Sequence, residues 1–294
     1  MSTPALITVI ANFPDKQSFS VNHSVMKILV PTDFSACAQT ASEVALAIAR
    51  RLQAEIIFLH LHETPGKAHI PAIEKAADPK IGQTKALLEE LVNLATRNSL
   101  TAKQMLVTHQ GGDKIENYIG PLQVDMIIMG SHGATGIREL IIGSHTQRVV
   151  RHSSVPVLVI KQKPARATFS NMLYATTLNE DIPNALNQIE KFAKAFEARI
   201  HMLYVQYPES EPSGAEAEEQ MRNAGKRFSG ISFTYNSIAT NDPEWGIGKM
   251  ARELQTDVIV LTTTLKTGRL FFSHKLAEDL VNHESLPVLV INAS

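Results

Sequence analysis

Along this chain, short apolar runs alternate with longer stretches whose apolar residues recur at helical spacing. The runs at residues 27–31, 55–61, 104–109, 126–130 and 155–161 are short and rich in Val, Ile, Leu and Met, as expected of strands buried on both faces. In residues 36–52, Val44, Ala45, Ile48, Ala49 and Leu52 form one stripe, and in residues 83–96, Leu87, Leu88, Leu91 and Leu94 form another. Both segments are predicted to be helices with those stripes facing a core. Residues 62–79 carry Pro65, Pro71 and Pro79 without a clear period and read as a connection. Strands alternating with amphipathic helices are the pattern of a parallel sheet covered on both faces.

The alternation then repeats. Residues 171–178 align with 27–34, 198–205 with 54–61, 256–260 with 124–128 and 286–291 with 155–160, which implies two copies of one unit. The expected boundaries are 26–161 for the first copy, a polar linker with Pro164 at 162–170, and 171–294 for the second. Residues 1–25 lack the basic start and long apolar core of an export signal. Residues 5–11 could add an edge strand, but Met26 stands directly before the first strand, and a loosely ordered extension is the expectation.

The densest chemistry lies in residues 125–161. An apolar run ends at Gly130; two residues later comes Gly133, nine residues after that Gly143-Ser144, then a predicted helix at 144–152 and the run Pro156-Val157-Leu158-Val159-Ile160. A helix start leaves backbone N–H groups unpaired at the positive end of the helix dipole. Gly143, Ser144 and their neighbours therefore form a prospective anion site that needs no basic side chain. The spacing lacks the GK[ST] of a P-loop, and the first strand lacks the Rossmann GxGxxG. After the first strand comes Pro31-Thr32-Asp33-Phe34-Ser35. A carboxylate where a strand leaves the sheet can bond a ribose or an adenine amino group, whereas Asp and Ser are also preferred helix N-caps. On these residues alone both readings stand.

The joint pattern resembles the nucleotide-binding signature of the universal stress protein family, and the resemblance covers nearly everything after residue 25. It implies an α/β fold of two tandem doubly wound five-stranded parallel sheets, each in order 3-2-1-4-5 and adenine nucleotide alpha hydrolase-like. Pseudo-twofold symmetry is expected between the halves, with each sheet standing by itself rather than one continuous ten-stranded sheet. The implied ligand is ATP or a related adenine nucleotide, with Mg²⁺ as a candidate companion. The implied contacts are Pro31, Thr32, Asp33, Leu61, Met129, Gly130, Ser131, His132, Gly133, Gly143, Ser144, His145 and Thr146. A regulatory or protective role in stress is implied, with no catalytic residue assigned. Any ATP hydrolysis should be slow, because no general base, P-loop lysine or acidic pair suited to Mg²⁺ is evident near the proposed phosphates. In family dimers the last strands meet, so the two last strands here are expected to pair within one chain as a pseudo-dimer, a homodimer being a further candidate assembly. Residues 26–163 alone should then self-associate while keeping nucleotide binding.

The second copy departs from the signature. Asp33 is matched by Thr177, Gly130 and Gly133 by Thr262 and Leu265, and, after a one-residue deletion, Gly143-Ser144 by His274-Lys275; Gly136 alone keeps a glycine, Gly268. This copy is expected to hold the scaffold without binding ATP. Lys266, Arg269, His274 and Lys275 read as a solvated face or as a patch for another anion. His60 and His62 flank Leu61, but two ligands on one strand, with His109 as the nearest companion, make a poor zinc site. Cys37 reads as a small buried residue, and Trp245 as packing on the helix it introduces. The alternative from another functional class is an interaction module that acts through partner proteins and holds no nucleotide. Neither an SGGxDS pyrophosphatase motif nor a phosphoacceptor acidic pair is present.

Composition narrows this picture only a little. The 294 residues are 44% hydrophobic and 19% charged with net charge −1, which gives no reason to expect nucleic acid or membrane partners. No apolar run reaches membrane-spanning length. The single cysteine excludes an intramolecular disulfide framework and points to a reducing compartment, with the cytoplasm expected.

Overall fold

The computed structural model describes residues 8–10, 25–63, 79–109, 112–132, 142–164, 168–179, 182–207, 212, 214–264 and 272–292. The first half runs β1 (Thr8–Ile10), β2 (Lys27–Pro31), α1 (Ala36–Leu52), β3 (Glu55–Glu63), α2 (Pro79–Arg97) and β4 (Ala102–His109). A 3₁₀ turn, Ile115–Tyr118, leads into α3 (Ile119–Leu122), then β5 (Met126–Gly130), α4 (Ser144–His152) and β6 (Val157–Ile160). The second half runs β7 (Asn171–Thr176), α5 (Ile182–Ala195), β8 (Arg199–Gln206), α6 (Gly214–Gly225), β9 (Ser232–Ala239), α7 (Pro243–Glu253), β10 (Val258–Thr263), α8 (His274–His283) and β11 (Val288–Asn292).

Each half has the expected strand order, β4-β3-β2-β5-β6 and β9-β8-β7-β10-β11, with all neighbours within each set of five parallel. The sheets do not stand apart, however. β6 and β11 pair antiparallel, with Val159, Leu158 and Val157 opposite Val288, Leu289 and Val290, so a single sheet of eleven strands runs through the molecule. Both strands are buried and apolar, and each would otherwise leave a row of unpaired N–H and C=O groups; main-chain pairing removes both edges at once. Because Leu158 and Leu289 are matching residues and face each other, the local pseudo-twofold axis passes through that pair.

Alternation along the strands splits the core into two layers. Ile28, Val30, Ile56 and Phe58 belong to the layer built with α1, α2, α5 and α6, whereas Leu29, Ile57, Leu59, Ile127 and Met129 belong to the one built with α4, α7 and α8. The α1 stripe is buried as expected except for Leu52, which is half-buried. The α2 stripe is rotated from its expectation: Ile81, Thr84, Leu88 and Ala95 are buried, while Leu87 lies 40% exposed. A helical stripe read from leucines alone misses the threonine and alanine that complete the face.

Three other expectations need correction. Thr8–Ile10 is not loose chain but an edge strand, antiparallel to β4. Phe169, inside the supposedly polar linker, is fully buried and meets Phe192 and Phe196 edge-on at 5.4 Å each. Trp245 is 52% exposed, with Lys249 Nζ lying 5.2 Å from its ring centre. The connection at 64–78 lies outside the described residues.

Candidate functional site

At the carboxyl edge of the first half, the ends of β2, β3 and β5 and the start of α4 surround a cavity of about 360 Å³. Ligands of open α/β sheets bind at this edge, and the volume falls in the range of small-molecule sites. Of the thirteen residues proposed for contact, eleven line it: Pro31, Thr32, Asp33, Leu61, Met129, Gly130, His132, Gly143, Ser144, His145 and Thr146. Ser131 is buried behind the lining, and Gly133 lies outside the described residues, as do Gly136, Lys266, Gly268 and Arg269. Ala38, Leu59, His60 and Ile115 also line the cavity. Ile115 comes from the short 3₁₀ turn, which has no periodicity for a sequence reading to find.

The rim is built by a tight turn. Thr32 N–H donates to Leu59 O (2.9 Å), tying β2 to β3 where the strands end. Phe34 then adopts a left-handed φ of 63°, unusual for a bulky residue. Thr32 Oγ1 accepts from Phe34 N–H (3.0 Å), and Asp33 Oδ1 from Ser35 N–H (3.1 Å). Ser35, not Asp33, is the N-cap of α1, accepting from Ala38 N–H. Asp33 is exposed on the rim, its carboxylate outside the cap. The Phe34 ring stacks on His60, centroids 5.0 Å apart at 28°.

His60 Nδ1 lies 2.7 Å from Thr32 O. A carbonyl only accepts, so Nδ1 carries the proton and Nε2 is left as an acceptor in the neutral ring. Burial is the main influence and lowers the His60 pKa; the Thr32 bond and Asp33 oppose it, and His62 and His109 reinforce it. The ring is therefore neutral near pH 7. Among the described residues no group of three or more His, Cys, Asp or Glu could hold a metal ion.

Gly130 serves packing. A Cβ there would stand 2.8 Å from Cys37 Sγ, 3.1 Å from Cys37 C and 3.2 Å from Ala38 N, so the missing side chain lets the first turn of α1 rest on the end of β5. Cys37 is buried, with its thiol donating to Ile160 O (3.3 Å). Gly143 plays another part. It is the N-cap of α4 in ordinary extended backbone (φ −64°, ψ 148°) and supplies no side-chain cap. The first turn of α4 thus presents backbone N–H groups at the cavity wall that its own N-cap leaves unoccupied. Thr146 Oγ1 donates to Gly130 O (2.8 Å) and fixes the helix to β5.

The second half repeats the turn but not the residues that line the cavity. Leu178 has φ 65°, and Thr176 Oγ1 accepts its N–H (2.9 Å), matching Phe34 and Thr32. Thr177 replaces the carboxylate and is buried. Tyr174 replaces Val30, and its hydroxyl reaches Thr262, the counterpart of Gly130, at 3.2 Å. The N-cap of α8 is Ser273 rather than His274: α8 is one residue longer than α4 at its start, and Ser273 Oγ accepts from Leu276 N–H. Where the first half leaves its helix start open, the second closes it with its own hydroxyl.

Fold and cavity define a tandem doubly wound α/β protein with a ligand-type cleft at the strand ends of one half. Residues 25–161 match the universal stress protein family. The chain is 30% identical to a universal stress protein of Methanocaldococcus jannaschii over 154 residues, 47% of this chain and 95% of that one. It is 25% identical to one of Bacillus subtilis over 145 residues, 46% of this chain and 98% of that one. The crystal structure of a universal stress protein from Archaeoglobus fulgidus shares the fold across both halves, with TM-score 0.69 at 18% identity, covering 91% of this chain and 96% of that one. The chain belongs to the universal stress protein family. No helix among the described residues is long and apolar enough to cross a membrane.

Proposed function

We propose that the first half binds an adenine nucleotide, ATP or a close relative, and that occupancy serves a regulatory or protective role under stress. The observation that carries this reading is the meeting, in one cavity, of an exposed carboxylate at the end of β2 with an α4 start that lacks a side-chain cap. Asp33 suits the nucleoside, and the α4 amides suit the phosphates. Leu59, Leu61, Met129 and Ile115 supply the apolar wall that a base needs. Mg²⁺ would arrive with the phosphates, since no protein cluster among the described residues holds it unaided. Binding rather than catalysis is the activity proposed, because among the described residues the wall offers His132 and hydroxyls but no carboxylate beside the α4 start.

Identification of any small molecule released on denaturing the purified protein, followed by calorimetric titration with ATP, ADP, AMP and cAMP, tests this. Asp33→Ala should weaken binding by about 1.5–3 kcal/mol, the range for hydrogen bonds to a charged group. Asp33→Asn keeps an acceptor for Ser35 N–H and separates lost charge from a lost turn. Gly143→Val should act by filling space, since valine tolerates the extended backbone there. Changes at Thr177 and His274 should leave affinity unaltered. Unchanged affinity in both first-half variants would refute the assigned site.

A further inference from the structure

The second half reaches across the pseudo-twofold axis to the wall of the first half's cavity. Ile142, the residue before the α4 N-cap, is buried, and its N–H donates to Asn282 Oδ1 of α8 at 2.6 Å. The next amide, Gly143 N–H, donates to Ser131 O within the first half at 2.8 Å. Adjacent amides are thus anchored to different halves, and the α4 start sits between them. Asn282 is itself held, because Lys161 Nζ donates to its backbone carbonyl.

The rest of α4 is gripped from the same side. Glu278 accepts from Gln147 Nε2 (2.7 Å) and from Arg151 through Nε (2.5 Å) and Nη2 (3.1 Å). Burial works to raise the Glu278 pKa, and the bonds from Arg151 and Gln147 overcome it, so the group stays ionised. At the far end, Asn292 Nδ2 donates to Val150 O (3.0 Å) and Ser153 O (2.9 Å), while its Oδ1 accepts from Thr263 Oγ1 (2.6 Å) and lies 3.2 Å from His274 Nε2. Among the described residues the Asn282 contact has no matching counterpart in the first half. The first-half residue matching Asn282 is Arg151, which is bound to Glu278.

We propose that Asn282 is a positioning residue for the first half's ligand site: by holding Ile142 N–H it sets Gly143 and the first turn of α4 against the cavity. This rests on the nucleotide reading above, and it gives the second half a task beyond covering the β6 edge. Removing the acceptor takes away the partner that holds this part-buried N–H, and the α4 start is then free to shift. The ligand-facing amides move with it.

The test uses the full chain with Asn282→Ala and Asn282→Asp, the second keeping an oxygen where Oδ1 stands. Amide hydrogen exchange over residues 142–146 is measured without nucleotide, and ATP affinity by calorimetry. Exchange in Asn282→Ala should speed up and ATP affinity should fall about tenfold, with Asn282→Asp restoring most of both. A merely structural role would lower stability without this rescue. Unchanged exchange in Asn282→Ala overturns the proposal, as does faster exchange with unaltered affinity, or an Asp variant as impaired as the Ala one. If the wild type binds no nucleotide yet the exchange responds and is rescued, the positioning contact stands and the nucleotide reading alone falls.

Discussion

Replacing Gly130 by alanine isolates the packing contact that brings α1 to the cavity. The added methyl would lie 2.8 Å from Cys37 Sγ and 3.1–3.2 Å from backbone atoms of Cys37 and Ala38. Ordinary carbon contacts begin near 3.5 Å, so the first turn of α1 must retreat by several tenths of an ångström. Two effects favour alanine: about 0.8 kcal/mol for burying a methyl and about 0.4–1 kcal/mol from a less flexible unfolded chain. Overpacking a tight site costs roughly 1–3 kcal/mol, and here a helix backbone, not a side-chain tip, must yield. The cost should sit at the upper end, leaving a net loss of about 1 kcal/mol. Cys37→Ala removes the nearest atom but not the two backbone contacts. In that background the Gly130→Ala penalty should shrink without vanishing. Urea unfolding of the four proteins in this cycle measures both terms. A Gly130→Ala protein as stable as wild type, or a penalty independent of Cys37, would refute the packing argument.

Two further outcomes are expected. The pKa of His60 is lowered from 6.5 in the fold chiefly by burial, so the unfolded chain binds the proton more readily; stability should fall as pH drops below about 6.5 and level off below the folded value, less steeply in His60→Gln, as followed by thermal unfolding across pH. His201 and His274 are lowered for the same first reason and add to the same window, and Glu278, held below 4.5, extends the loss at lower pH. Residues 26–163 expressed alone should self-associate in analytical ultracentrifugation, because β6 loses β11. They should also bind ATP more weakly than the full chain, because Asn282 is gone. A monomeric fragment with full affinity would contradict both assignments.

Local structure was legible in the sequence, and most of the cavity wall in its resemblance to the family. Strand and helix positions follow from apolar periodicity, which burial enforces residue by residue, and β2, β5 and α4 begin and end where the pattern places them. Strand ends carry the ligand edge in such sheets, so Asp33 and Gly143 could be named without coordinates. What the spacing could not convey is contact between residues distant along the chain. That Gly130 is small because α1 rests on it, and that Phe34 holds a left-handed turn against His60, depends on elements meeting in space. The one-residue shift at the start of α8, which makes Ser273 the cap, depends on where a hydroxyl finds a free N–H. The joined sheet, and the hold of Asn282 on Ile142 across 140 residues, were likewise decided by tertiary structure: unpaired edges and buried amides take the partners that the folded chain brings within reach.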